Sequence, residues 1–256
     1  MAEWRFGRGW TDAELAERLA AASQRRRNFT ASEAEMTPEH GWSRHYSQAV
    51  VAREPPGPPL PGGSFVQGWD ILQRYAFSDP RIVRGHFDAN SPLRGRVMLI
   101  EARVLGLHYL GSVVVAATRN DSDDAETVRG FRYDTLEGHF ERGLEWFTLT
   151  KRHATGEVLL TVHAGWQRGD LPNFWSRLGF RLLARRYQRA WHRLAHMRMR
   201  RLLKSEGLEP LPPAARLVHS GPPLPVPKVQ DAASGFPPSP ITTEHEAPAR
   251  PAMETP

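Results

Sequence analysis

Residues 130–147, GFRYDTLEGHFERGLEWF, set Tyr133, His139, Glu141 and Glu145 within a short stretch. Phenol, imidazole and carboxyl are the side-chain types that carry protons between reacting atoms, provided they come within hydrogen-bond reach of one another. Spacing alone does not bring them there. Phe131, Tyr133 and Thr135 share one face of a strand, with Arg132 and Asp134 on the other. Residues 136–143 then read as an eight-residue loop, longer than the two to five residues of a usual hairpin connection. Gly138 and Gly143 can take positive φ there, and His139 and Glu141 can bond the loop backbone. The same residues can also form a cavity mouth, with Tyr133, His139 and Glu141 or Glu145 meeting the polar group of a ligand.

The remaining chemistry-bearing types give less. His192 and His196 have the i, i+4 spacing of a two-histidine metal site, but no glutamate follows the first and no third ligand is evident. They are expected on the exposed side of a helix, and no metal or other cofactor is expected. The acidic run NDSDDAE lacks the glycine and terminal glutamate of a calcium loop and reads as a solvated turn. No glycine-flanked serine nucleophile and no phosphate-cradling loop is found. With no cysteine, disulfides, thiolate nucleophiles and thiolate metal sites are all excluded.

These side chains need elements to hold them. Thr11 and Glu14 form a capping box for a helix with Leu15, Leu19 and Ala22 on its apolar side. HYSQAVVARE reads as a strand, closed by the proline-rich PPGPPLPGG. SFVQGWDILQRYAF and DPRIVRGHFD read as two helices, the second capped by Asp79 with Pro80 at its first position. From Arg96 the apolar period changes to two, giving about five antiparallel strands that end in EVLLTVHAGW. A long amphipathic helix over 172–203 follows, its apolar stripe marked by Trp175, Leu178, Leu182, Leu183, Tyr187, Ala190, Trp191, Leu194 and Met197. It needs an apolar surface, and only the sheet offers one. This order is α+β and predicts a helix-grip arrangement, a curved antiparallel sheet around a long C-terminal helix with a ligand cavity between them.

At 256 residues and 40% hydrophobic content the chain can bury an ordinary core. The expected domain is 1–206, followed by a disordered tail over 207–256 that holds 13 prolines. MAEWRFGRGW lacks the apolar run of a signal peptide, so a cytoplasmic location is expected, and no run is long enough for a transmembrane helix. The net charge of +6 and pI of about 10.1 point to anionic partners. Yet only three of the 34 basic residues are lysines, so arginine abundance is partly compositional. Residues 174–203 hold nine arginines, among them Arg177, Arg181, Arg185, Arg189 and Arg193 as a ridge. That ridge is a candidate face for an anionic surface or an acidic protein. The helix aromatics lie on the buried side, which argues against nucleic acid.

WDILQRYAFSDPRIV, PLRGRVMLIEARVLGLHYL, GFRYDTLEGHFERGLEWF and LGFRLLARRYQRAW resemble the family catalogued as domain of unknown function nineteen-ninety, over roughly residues 65–203. Tyr133, Thr135, Leu136, Gly138, His139, Glu141, Gly143, Glu145 and Phe147 are the most specific part of the match. Asp134, Phe140 and Leu144 depart from the family pattern, and Trp166 stands in an altered ending of the last strand. The resemblance implies the START-type, birch-pollen-allergen-like helix-grip superfamily and brings no reaction with it. The expectation is a module that binds a hydrophobic small molecule or lipid, lined by Phe131, Tyr133, Thr135, His139, Glu141, Glu145, Phe147, Trp166, Tyr187 and Trp191. The alternatives are an enzyme using Tyr133, His139 and Glu141, and a partner-binding protein acting through its arginine face.

Overall fold

The computed structural model describes residues 3–169, 174–204 and 216–217, with side chains of the long helix described from residue 186 onward. Strand β1 (Glu3–Phe6) leads into α1 (Asp12–Ala22), where Thr11 caps the helix and Glu14 completes the capping box. Two 3-10 turns, Glu33–Glu35 and Pro38–His40, precede β2 (Ser43–Arg53) and α2 (Ser64–Gln73). Then come β3 (Val83–Asp88), β4 (Val97–Val104), β5 (Leu107–Ser122), β6 (Glu126–Thr135), β7 (Glu141–Arg152) and β8 (Glu157–Arg168). Helix α3 (Phe174–Lys204) and the short β9 (Arg216–Leu217) complete the described chain.

The strands form one sheet in the order β2-β8-β7-β6-β5-β4-β3-β9, with β1 paired to β5 off that path. Every pairing is antiparallel except β3 with β9. This is the helix-grip fold, a curved antiparallel sheet with α3 against its concave face. The strand period of two divides the core. Phe131, Phe147, Leu149, Leu160 and Val162 face inward with Phe65 and Leu72 of α2 and Trp191, Ala195 and Met199 of α3. On the convex face Leu15, Leu19 and Ala22 of α1 cover Val97, Leu99, Leu110 and Val114.

Two ion clusters pin peripheral segments. Lys151 Nζ donates to Glu54 Oε2 (2.6 Å) and to the Pro58 carbonyl (2.9 Å), tying the proline-rich segment to the end of β7. On the convex face Glu101 joins His86 (2.9 Å) and His108 (2.6 Å). Burial would raise its carboxyl, but the hydrogen bonds from His86 and His108 outweigh that and hold it at about 2.

Several expectations are corrected. Residues 79–88 do not form a helix. Asp79 accepts from the Arg81 N–H (3.0 Å) and side chain, which makes a turn, and β3 follows because Val83 and Phe87 fill the concave core. The connection after β6 is five residues, 136–140, not eight, since β7 already begins at Glu141. The stripe of α3 is rotated from the one expected. Met197 is 50% exposed, whereas His192 and His196 are 3% and 7% exposed. Where α3 crosses β2 the strand presents Ser47, so histidines of the helix have polar partners there and sink into the seam. β1 was not anticipated, and β9 lies within the segment expected to be disordered. The rest of that tail, and the side chains of Trp175, Leu178, Leu182 and Leu183, lie outside the described residues.

Among the described residues, no helix is long and apolar enough to cross a membrane.

Candidate functional site

Tyr133 on β6 and Glu145 on β7 are cross-strand partners, both on the concave face, and the tyrosine hydroxyl donates to Glu145 Oε2. The Tyr75 ring, from the turn after α2, packs edge-on against Phe147 at 5.8 Å. Tyr75 adopts φ +57, an unusual conformation for a bulky residue, and its hydroxyl is buried beside that of Tyr133. Glu141, four residues before Glu145, accepts from Gln188 Nε2 of α3 at 3.3 Å.

His192 of α3 extends this polar strip. Its Nε2 lies 3.8 Å from Glu145 Oε1, and its Nδ1 meets Ser47 Oγ at 2.6 Å. The same hydroxyl reaches His196 Nε2 at 3.0 Å. Burial first, then His45 and His196, push His192 down to about 2. It is therefore neutral and supplies no counter-charge to Glu145. Among the described residues, no set of three histidines or carboxylates is arranged to hold a metal ion.

Glu145 is raised to about 7 by burial, against the opposing hydrogen bond from Tyr133. Glu141 is raised to about 8 by burial and by the charge of Glu145. Both carboxyls keep a proton in the fold where the unfolded chain has lost it. Their folded values are raised, so the stability they contribute is lost as pH rises from about 4.5 through about 8, by up to about 1.4 kcal/mol per pH unit for each group. Glu145→Gln should flatten the fall of Tm with pH relative to the unsubstituted chain over that window, measured by calorimetry. An unchanged slope would place the titration elsewhere.

His139 serves the loop. Its Nδ1 accepts from the Glu141 N–H (3.0 Å), its ring stacks on Phe140 at 4.2 Å, and burial lowers it to about 4. The ring lies over Gly111, where any Cβ would overlap it. His139→Ala should cost about 1–3 kcal/mol in denaturant unfolding, the usual penalty for orphaning a buried N–H. A change within error would release His139 from that structural role.

The other expected site residues separate by place. Phe131 and Phe147 are in the aromatic core, 1% and 0% exposed. Thr135 clasps the loop, bonding Asn28 Oδ1 (2.6 Å) and accepting from the Gly143 N–H (2.8 Å). Tyr187 donates to the Ile82 carbonyl (2.6 Å) at the β3–β4 edge, and Trp191 Nε1 donates to Ser78 Oγ (2.9 Å). Trp166 lines a cleft of about 340 Å³ together with Trp42, Ser43, His45, Gln188 and Arg189. Gln188 belongs to both places, forming cleft wall and contact to Glu141. Of the arginine ridge, Arg189 and Arg193 are exposed, and the side chains of Arg177, Arg181 and Arg185 lie outside the described residues.

Sequence inspection missed Tyr75, Ser47 and Gln188. Gln188 had a signal, an uncharged amide in an arginine-rich helix. Tyr75 had none, because its role follows from a backbone twist past the end of α2.

Residues 25–197 match the model of a family described as Domain of unknown function (DUF1990). No match to the sequence was found among the curated proteins. Among solved structures, Ara h 8.0201 is similar at 12% identity and TM-score 0.37, covering 65% of this chain and 100% of its own. Ginseng major latex-like protein 151 from Panax ginseng has 14% identity and TM-score 0.35, with 59% and 97% covered. A Thalictrum norcoclaurine synthase point mutant in complex with a transition-state analogue has 7% identity and TM-score 0.39, with 63% and 92% covered.

Proposed function

The chain belongs to the family described as Domain of unknown function (DUF1990), and from its own site we propose that it binds a small, largely apolar molecule between the sheet and α3, with the polar end toward Tyr133, Glu145 and Glu141. One observation carries this proposal. Glu145, buried and raised to about 7, borders the aromatic interior, and half-buried Glu141, raised to about 8, lies on the same strand, with no cationic side chain paired to either among the described residues. Their hydrogen bonds from Tyr133 and Gln188 offset only part of the burial cost, which is about 1–3 kcal/mol even for a neutral polar group, and the fold gains nothing from them by packing alone. Ionisable groups kept in that condition beside a cleft are characteristic of ligand sites. The test is mass spectrometry of small molecules released on denaturing protein purified from its source. An apolar compound near one equivalent is expected, and protein that releases none and takes up none from a lipid extract would overturn the proposal.

A second function, proton-transfer catalysis, is favoured by the direct Tyr133–Glu145 hydrogen bond and the near-neutral Glu145. In that case the acid–base pair is Tyr133 with Glu145, because His139 Nδ1 is already taken by the Glu141 N–H.

A further inference from the structure

Independently of the ligand site, we propose that the tip of the β4–β5 hairpin, together with β1, docks the protein on an anionic lipid bilayer. Trp4, Phe6 and Leu105 are 43%, 75% and 85% exposed, and the fold brings all three to one place. Side chains alternate along β1. Glu3 and Arg5 turn toward α1, where Arg18 Nε donates to Glu3 Oε2 (2.6 Å) and Arg5 Nη1 donates to Glu14 Oε2 (3.0 Å), so Trp4 and Phe6 point the other way. Phe6 pairs with Leu107, and the Gly7 N–H donates to the Gly106 carbonyl (2.8 Å). The Phe6 ring lies 3.3 Å from where a Cβ on Gly106 would stand, so the end of β1 rests on the hairpin tip that Leu105 shares.

Leu105 is out of place by local rules. Val104 pairs with Leu107 across a two-residue loop in which Leu105 has φ +49 and Gly106 φ +79, positive values that favour asparagine, aspartate or glycine. A branched aliphatic side chain is strained there, and held out in water it gains nothing from the core. Apolar side chains exposed side by side mark a contact surface. Three partly exposed ones, at about 150–250 Å² for a whole aromatic side chain, fall short of the about 800 Å² per partner of a stable protein interface. A bilayer sets no such threshold, and aromatic side chains favour its interfacial layer.

The charges beside the tip select the lipid. Arg8 is exposed, its N–H turned back to the Phe6 carbonyl (2.9 Å), and Arg103 stands two residues before Leu105. Neither forms an ion pair among the described residues. Of the acids nearby, Glu3 and Glu14 are paired with arginines, Glu101 is buried between His86 and His108, and Asp12 sits in the first turn of α1. A small apolar anchor flanked by uncompensated cations suits reversible binding to an anionic surface.

The experiment is sedimentation of the full chain with phosphatidylcholine vesicles and with vesicles containing phosphatidylglycerol, alongside Arg8→Gln and the double variant Phe6→Ser, Leu105→Asn. Asparagine suits φ +49 and both side chains stand outside the core, so the double variant should keep the Tm of its parent. Partition onto the anionic vesicles is expected to fall at least about tenfold in the double variant, as two apolar side chains stop entering the interface. It should also fall for Arg8→Gln, and for the unsubstituted chain as salt rises from about 0.1 M to about 1 M and the screening length shrinks to about 3 Å. Equal partition of the double variant and its parent would overturn the proposal, assigning any binding to charge elsewhere, as would equal partition onto neutral and anionic vesicles or onto neither. Self-association of the parent without lipid, lost in the double variant while vesicle binding is unchanged, would also overturn it by making the tip a protein contact.

Discussion

Gly143→Ala is expected to destabilise the fold by about 3 kcal/mol or more, measured by denaturant unfolding. Gly143 has φ +151, where a side chain is strained, and an added Cβ would overlap the Gly165 carbonyl oxygen on β8. Backbone strain of this kind costs about 1–3 kcal/mol. The steric conflict adds a similar amount, because the obstructing atom is backbone and cannot swing aside. Thr135 also accepts from the Gly143 N–H (2.8 Å), so displacement spreads to the end of β6 and to Tyr133. A variant as stable as its parent would contradict this account of the loop.

Arg132→Met should cost about 3–5 kcal/mol, the range for removing one member of a buried ion pair. Arg132, 2% exposed, lies on the convex face behind Tyr133, with its Nε 2.8 Å from Asp134 Oδ1 and its Nη1 3.7 Å from Glu33. Asp134 is fully buried and, among the described residues, keeps Arg27 at 3.3 Å as its one cationic partner once Arg132 is gone. The segment carrying Glu33 also carries Pro38 and Trp42 of the cleft wall, and Trp146 Nε1 donates to Glu33 Oε1 (2.5 Å) to hold it. Loss of Arg132 should therefore loosen the cleft as well as the fold. The double variant Arg132→Met, Asp134→Leu should recover much of the loss, because it removes the stranded carboxylate. Equal stability of single variant and parent would show that the pair contributes nothing.

The clearest sequence signals were local. The Thr11–Glu14 capping box, the strand alternation through Phe131, Tyr133 and Phe147, and the turn at Gly156 all depend on near neighbours, and all are present. Residues 79–88 misled because Asp79 followed by Pro80 serves a turn as readily as a helix start, and only pairing with β4 decides between them. The histidines of α3 misled for a related reason. Polarity places His192 and His196 outside, whereas Ser47 on a distant strand gives them partners inside. Tyr133, Glu141 and Glu145 were legible as candidates from their types and spacing. Their environment was not, because raised carboxyls depend on what α2 and α3 bring over the strand.

Titration with the neutral apolar fluorophore N-phenyl-1-naphthylamine tests the central claim most directly, comparing the unsubstituted chain with Ser43→Trp. Ser43 lines the cleft from β2, so an indole there fills the space a ligand would occupy. The unsubstituted chain should show saturable binding near one equivalent, and Ser43→Trp should weaken it at least about tenfold, a loss of about 1.4 kcal/mol, with little change in Tm. Equal binding by both proteins, or no saturable binding by either, would contradict ligand binding between the sheet and α3.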